Sequence, residues 1–183
     1  MVISTPSFYV GTYSCAIGTT ISLSAPTTPL LRAAKDHDMD AIELLVYHDT
    51  NLELPNQNGI TPLMAASGLG ANSIDILGDY ATSFADRNAN NTIKALAADG
   101  ADINGRDRQG RKALHGPTSW SWRDTVAELV ESGTDLSAKD SSNLTAFDYA
   151  MGKCSGNTSR GVVGVVRRET AALIDGLLKQ LPR

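Results

Sequence analysis

The chain repeats itself at a spacing of 33 residues. TPL at residues 28–30 recurs at residues 61–63, and KALH at residues 112–115 has TAFD at residues 145–148 as its counterpart. Residues 61 and 112 are 51 residues apart, which is the repeat length plus 18. A fixed period of this kind predicts stacked units, because each unit buries its apolar face against the next one.

Each unit contains the signals of two helices followed by a turn. The Thr-Pro start suits a helix N-terminus, since Thr can accept a backbone N–H and Pro has no N–H to leave unpaired. Apolar residues at helical spacing then predict a second helix. In the first three units they are Ile42, Leu45, Val46, Ile93, Leu96, Ala97, Val126, Leu129 and Val130. Gly100 and Gly133 follow two of these helices, where a left-handed residue commonly ends a helix.

The turns between units also share a pattern. NQNG at residues 56–59, DRQG at 107–110 and DSSN at 140–143 follow the same intervals of 51 and 33 residues. Each ends in Gly or Asn, the residues that tolerate a positive φ. We therefore expect a short hairpin finger at each of these three positions.

A 33-residue unit of turn, helix and helix that carries TPL, ALH and GADIN resembles the ankyrin repeat. TPLMAASGLG and the closing ETAALIDGLL are similar to a bacterial group of ankyrin proteins, often exported, with insertions in the second and last repeats. The resemblance implies an all-α solenoid of about four helix-turn-helix repeats. We place them at about 28–60, 61–111 with insertion 71–88, 112–144, and 145–183 with insertion 152–166.

The chain departs from the family pattern in two ways. No unit has the full Thr-Pro-Leu-His tetrad. Pro117 falls inside the first helix of the third repeat, where it would remove a hydrogen bond. We therefore expect that helix to be short or kinked, and helix B of the second repeat to restart near Asn90.

Residues 1–27 form an uncharged segment, and residues 1–28 hold eleven Ser or Thr. They lack the basic start and apolar run of a secretory signal. We interpret them as a polar leader, or as a strand that caps the domain or pairs with a neighbouring chain. Cytoplasmic is the default prediction for the compartment, and export is the alternative that the resemblance implies.

The composition argues against several classes of protein. The net charge of −4 is unfavourable for a nucleic-acid binder. No stretch reaches the ~18 apolar residues that cross a bilayer, so we expect no membrane insertion. Two cysteines, Cys15 and Cys154, make neither a zinc pattern nor a disulfide framework.

Two surfaces are candidates for binding a partner. The insertions and the two tryptophans, Trp120 and Trp122, fall at the edge between the helices of each repeat, and Tyr80 and Phe84 belong to the first insertion. Aromatic side chains often anchor interfaces. The alternative is that the tryptophans pack the insertions down and cover helix ends.

The second candidate surface is the finger at residues 104–112, NGRDRQGRK, which carries Arg106, Arg108 and Arg111. Residues 28–59 are acidic, with a net charge of −4, and residues 152–183 are basic, with a net charge of +4. This polarity could steer a charged partner or favour head-to-tail self-association. A merely solvated surface is the plainer alternative.

Catalytic motifs are missing from the sequence. GKCSGNTSRG lacks the spacing of a phosphate loop, and KDHDMD at residues 35–40 lacks the ligand spacing of a metal site. We expect no enzyme activity, no cofactor and no metal. The predicted function is a protein-protein interaction module with a protein partner. A self-assembling structural protein and an auxiliary domain of a larger enzyme are the alternatives.

Overall fold

The computed structural model describes residues 27–71, 83–153 and 166–180. In these ranges the chain forms α-helices and no strand, which confirms the predicted all-α class. The eight helices of the described ranges are α1 (Pro29–Asp36), α2 (Met39–Tyr47), α3 (Pro62–Ala66), α4 (Ser83–Ala98), α5 (His115–Trp120), α6 (Arg123–Glu131), α7 (Ala146–Ala150) and α8 (Arg168–Gln180). The leader 1–26 and the middle of each insertion, 72–82 and 154–165, lie outside the described residues.

Threonine hydroxyls cap three of the helices, two of them at the Thr-Pro starts where the sequence predicts a cap. Thr28, Thr61 and Thr145 each accept the N–H three residues ahead, at 3.1, 3.4 and 3.3 Å. Asp148 returns a bond to the Thr145 N–H, which completes a capping box. Each of these starts is thus determined by local sequence.

The helices associate as four successive pairs, α1 with α2, α3 with α4, α5 with α6, and α7 with α8. Neighbouring pairs pack α1 on α3, α4 on α6, and α5 on α7. Ile42, Ile93, Val126 and Ile174 are buried in one continuous core along the second helices of the pairs. The apolar positions that repeat in the sequence are therefore the ones that join the pairs.

The ends of the second helices follow the predicted pattern. Gly100 and Gly133 have φ angles of 97° and 89°, in the left-handed region that glycine tolerates best. Asp49 takes the same place after α2 with a φ of 55°. The first unit therefore makes the same turn without a glycine, since Asp is one of the few side chains that visit this region.

Two helices begin at places other than those expected. α4 starts at Ser83 rather than near Asn90, so residues 83–88, which the sequence placed in the insertion, are helical. The reason is tertiary: Ala85 and Ala89 bury their side chains against the two tryptophans. α5 starts at His115 and has only six residues. Pro117 is the third residue of α5, in the first turn, where a proline costs no intrahelical hydrogen bond. The helix is short, as predicted.

Candidate functional site

The three fingers share one hydrogen-bond geometry. In each, the first residue, Asn56, Asp107 or Asp140, accepts backbone N–H groups two and four residues ahead on its side-chain Oδ1, at 2.8 to 3.1 Å. Its own N–H donates to the carbonyl four residues ahead. The closing residues Gly59, Gly110 and Asn143 have φ angles of 79°, 71° and 64°, as the turn patterns predict.

The fingers are also joined to one another. The Arg108 N–H donates to the Asn58 carbonyl at 3.0 Å, and the Ser141 N–H donates to the Gln109 carbonyl at 2.8 Å. These two bonds connect equivalent atoms of successive fingers. Because the backbones are in register, side chains at equivalent positions emerge side by side along one edge. We call this edge, formed by residues 54–58, 105–110 and 138–142, the finger edge.

Arg111 does not belong to the exposed surface of the finger edge, contrary to the prediction. Its side chain is 1% exposed, and its guanidinium contacts the equally buried Asp107 carboxylate, with Nη2 and Nε at 2.6 and 2.8 Å from Oδ2. The same carboxylate holds the turn together through its other oxygen. Arg111 is thus a structural partner of the turn and is not available for a second protein.

The other two predicted arginines are exposed. Arg106 donates to the carbonyls of Gly110 and Lys139 at 2.7 and 2.8 Å, so it also ties its finger to the next one. Lys139 is exposed too, at the position equivalent to Arg106. Sequence reasoning missed Lys139, although the 33-residue interval from Arg106 would have found it.

Trp120 and Trp122 are buried, at 9% and 2% exposure. They form a cluster with Ala71, Ala85 and Ala89, which we call the tryptophan cluster. The Trp120 indole N–H donates to the Gly68 carbonyl at 3.0 Å. Both tryptophan side chains pack against residues at the two ends of the first insertion. This is the alternative that the sequence left open.

The two other aromatic candidates differ in what the structure describes. Phe84 is 70% exposed in the first turn of α4, beside the tryptophan cluster. Tyr80 lies outside the described residues. Among the three aromatic candidates that the structure describes, Phe84 is the one whose side chain is exposed.

His37 points inward from the acidic turn at residues 35–40. Its Nδ1 lies 3.3 Å from the Thr92 hydroxyl, and its ring meets the Trp122 ring edge-on at 6.4 Å between centroids. Burial lowers the pKa of His37 to about 4, and the charge of Asp36 opposes only part of this effect. Its imidazole therefore packs as a neutral ring between neighbouring helix pairs.

His115 is likewise built into the structure. Its Nδ1 accepts the Lys112 N–H at 3.1 Å, in the way that a capping-box side chain does. Its ring packs edge-on against Tyr149 at 5.1 Å, and burial lowers its pKa. Within the described residues, no three His, Cys, Asp or Glu side chains gather as a metal site would require.

The chain was compared with known protein-family models, and none of them matches. Among the helices of residues 27–71, 83–153 and 166–180, none has the length and apolar character needed to cross a bilayer. The finger edge and the helix ends are the features of the described residues from which a function can be proposed.

Proposed function

We propose that the chain is an ankyrin-repeat solenoid of four units whose finger edge binds an acidic segment of a protein partner, without enzymatic activity of its own. The repeat assignment is supported by the three equivalent fingers and by the threonine caps at the start of three units. The helix pairs contact in chain order, as nearest-neighbour stacking requires.

One observation carries the binding proposal: the register of the fingers places cations next to one another while the acids of the same turns face inward. Arg106, Arg108 and Lys139 are exposed along the edge, whereas Asp107 and Asp140 are buried. Leu54 adds an exposed apolar side chain at the first finger. A positively charged edge with an apolar end is complementary to an extended acidic segment.

The proposal is tested by charge reversal at two exposed side chains of the finger edge. Arg108→Glu and Lys139→Glu together should abolish capture of the partner in affinity purification with mass spectrometry. With the identified partner purified, we expect Kd to rise about tenfold or more, equivalent to at least ~1.4 kcal/mol. Wild-type affinity should also fall as salt is raised, because exposed charge pairs are screened.

The matched control reverses two exposed cations elsewhere, Arg87 on α4 and Lys179 on α8, and so changes the net charge equally. This variant should capture the partner as the wild type does. Equal loss in both double variants would mean that only net charge matters. Undiminished capture by the Arg108→Glu, Lys139→Glu protein would place the binding surface elsewhere.

Self-association remains a second proposal because of the outer face of α2. Leu44 and Tyr47 are 59% and 82% exposed, and no helix pair precedes α2 in the described chain. The equivalent positions in α6 are Glu128 and Glu131. Light scattering at low and high salt tests this: a monomer under both conditions, unaltered by Leu44→Ser and Tyr47→Ser, would eliminate it.

A further inference from the structure

An open cleft of about 300 Å³ lies at the beginning of α8. The residues that matter in its lining are Ser121, Arg123, Arg167, Arg168, Glu169 and Thr170. The cleft lies between the third and fourth helix pairs, away from the fingers. Its volume is enough for a small ligand or for one side chain of another protein.

The equivalent place one pair earlier is filled by a carboxylate of the chain. Asp86 on α4 accepts the N–H groups of Asp124 and Thr125 at 3.1 and 2.9 Å, at the start of α6. It also accepts the Thr125 hydroxyl at 2.7 Å. The residue before α6, Trp122, makes no side-chain cap of its own. Asp86 therefore supplies the cap from a neighbouring helix.

The beginnings of α6 and α8 are alike in sequence and in burial. Residues 123–125 read RDT and residues 168–170 read RET, each at the first turn of its helix. Thr125 and Thr170 are both fully buried. Among the described residues, the Thr170 hydroxyl has no hydrogen-bond partner, whereas the Thr125 hydroxyl has Asp86. α8 thus presents the same donors without the acceptor.

Within the described residues, the acidic group nearest to the start of α8 does not supply that acceptor. The Glu169 carboxylate pairs with Arg123 at 3.1 Å. The sequence of residues 154–165, in the second insertion, contains no Asp or Glu and therefore no carboxylate side chain.

The charge around the cleft favours an anion. Three arginines, Arg123, Arg167 and Arg168, stand against one acid, Glu169. Arg167 is half-buried, and burial lowers its pKa. The N-terminus of the 13-residue helix α8 adds a partial positive charge in the same direction.

We propose that this cleft is a carboxylate-binding site. The Thr170 hydroxyl and the N–H groups at the start of α8 hold one carboxylate as Thr125 and the start of α6 hold Asp86, and Arg167 and Arg168 supply the attracting charge. The carboxylate belongs either to a small molecule or to an acidic side chain of another protein. This inference does not depend on the finger edge.

Thermal unfolding tests the proposal, because a ligand that binds only the folded chain raises Tm. Sodium acetate, succinate and sulfate are compared with sodium chloride at equal ionic strength. We expect the carboxylates to raise Tm by about 3 °C or more beyond chloride at saturation. A response to carboxylates no larger than the response to chloride or sulfate would overturn the proposal.

Thr170→Val is the informative variant, because it removes a hydroxyl that has no partner and keeps the side-chain shape. We expect its Tm without ligand to be equal to or above the wild-type value, and its carboxylate response to be lost. Arg168→Ala should weaken the response, and Arg87→Ala, an exposed control, should keep it. A full response in Thr170→Val would contradict the assigned donors.

Two further arms complete the test. A short peptide with a single Glu and blocked ends is compared with succinate: a Tm rise with succinate alone indicates a small-molecule ligand, and a rise with the peptide indicates a protein side chain. Adding Asp86→Ala to Thr170→Val should restore a carboxylate response at Thr125. Failure to restore it would refute the equivalence of the two helix starts.

Discussion

Arg108 and Arg111 lie in the same finger but have opposite environments. Arg108 is exposed on the finger edge, whereas Arg111 is buried against Asp107. The residue four positions after Asp107 is brought back to it by the turn, and its side chain then enters the interior. A cluster of like charges in a sequence can therefore contain both side chains exposed to solvent and side chains that stabilise the turn.

We predict unequal effects for the two arginines. Arg111→Ala leaves the Asp107 charge buried without its partner, and it should lower the free energy of unfolding by about 3–5 kcal/mol. Arg108→Ala removes only an exposed side chain and should change it by about 0.5 kcal/mol or less. Urea unfolding of both variants measures the difference. Equal losses of unfolding free energy in the two variants would mean that the buried Arg111–Asp107 pair stabilises the chain no more than the exposed Arg108 side chain does.

His37 makes stability depend on pH. Its pKa falls from 6.5 in the unfolded chain to about 4 in the folded chain, so between these values the unfolded chain binds more protons. Stability should therefore decrease as the pH falls from 6.5 to 4, by up to about 3 kcal/mol from this residue. His115 acts in the same direction.

The pH prediction is checked by urea unfolding at pH 7, 5.5 and 4.5. His37→Asn keeps a residue that tolerates the φ of 55° at this position. It should remove a large part of the pH dependence in this window. An unchanged slope in His37→Asn would assign the acid sensitivity to other groups.

At the scale of the element, α4 and α5 show how packing changes helix limits. The tryptophan cluster gives residues 83–89 an apolar surface to cover, so α4 has 16 residues where α2 and α6 have nine each, a difference of about two turns. α5 is limited to six residues by Pro117 and by the left-handed Ser121 that follows it. Helix pairs therefore keep their register while the lengths of their members differ.

Two helical glycines should respond oppositely to alanine. Gly116 of α5 lies against the end of α3, where an added Cβ would collide with the Ser67 carbonyl oxygen and lie 2.8 Å from Leu69 N. Gly176 of α8 has no neighbour within 4 Å of the same added atom. Gly116→Ala should destabilise the chain by about 1–3 kcal/mol, and Gly176→Ala should stabilise it by up to ~1 kcal/mol.

Thermal unfolding of the two alanine variants, with circular dichroism to follow helix content, measures both effects. Both substitutions replace a helical glycine by alanine, and the close contact with neighbouring atoms exists only at Gly116. A stabilised Gly116→Ala protein would show that α3 and α5 are not held as closely as the structure describes.

In the described ranges the helix pairs contact one another in chain order, so we expect local stability to vary with position in that order. Every residue of α3 is buried, whereas Ile42 is the one fully buried residue of α2. We expect amides of α2 to exchange with deuterium faster than those of α3 and of the second half of α4. Mass-spectrometric hydrogen exchange on peptides covers both regions. Equal protection of α2 and α4 would indicate that another surface covers α2.

Part of the candidate site could be found from sequence and part could not. The turns at residues 56, 107 and 140 follow from repeat spacing, because an Asx side chain and a Gly or Asn determine the turn locally. The burial of Arg111 was not predicted, and the sequence left the burial of the tryptophans as one of two alternatives, since both outcomes depend on what lies opposite these side chains. Asp86 was assigned to an insertion, and its role as a cap for α6 depends on a contact between two helices.

By itself, the sequence determines the all-α class, the 33-residue spacing, the threonine caps and the positive φ at the finger tips. The caps and the φ angles depend on residues within four positions of one another, so local hydrogen bonding and sterics decide them, whereas the class and the spacing follow from a pattern that recurs along the chain. Tertiary structure decides which cations stay exposed, where α4 begins, and that within the described residues the Thr170 hydroxyl of α8 has no counterpart of the Asp86 carboxylate that binds Thr125 of α6. Those outcomes depend on burial and on distances between units, which no single stretch of the chain encodes.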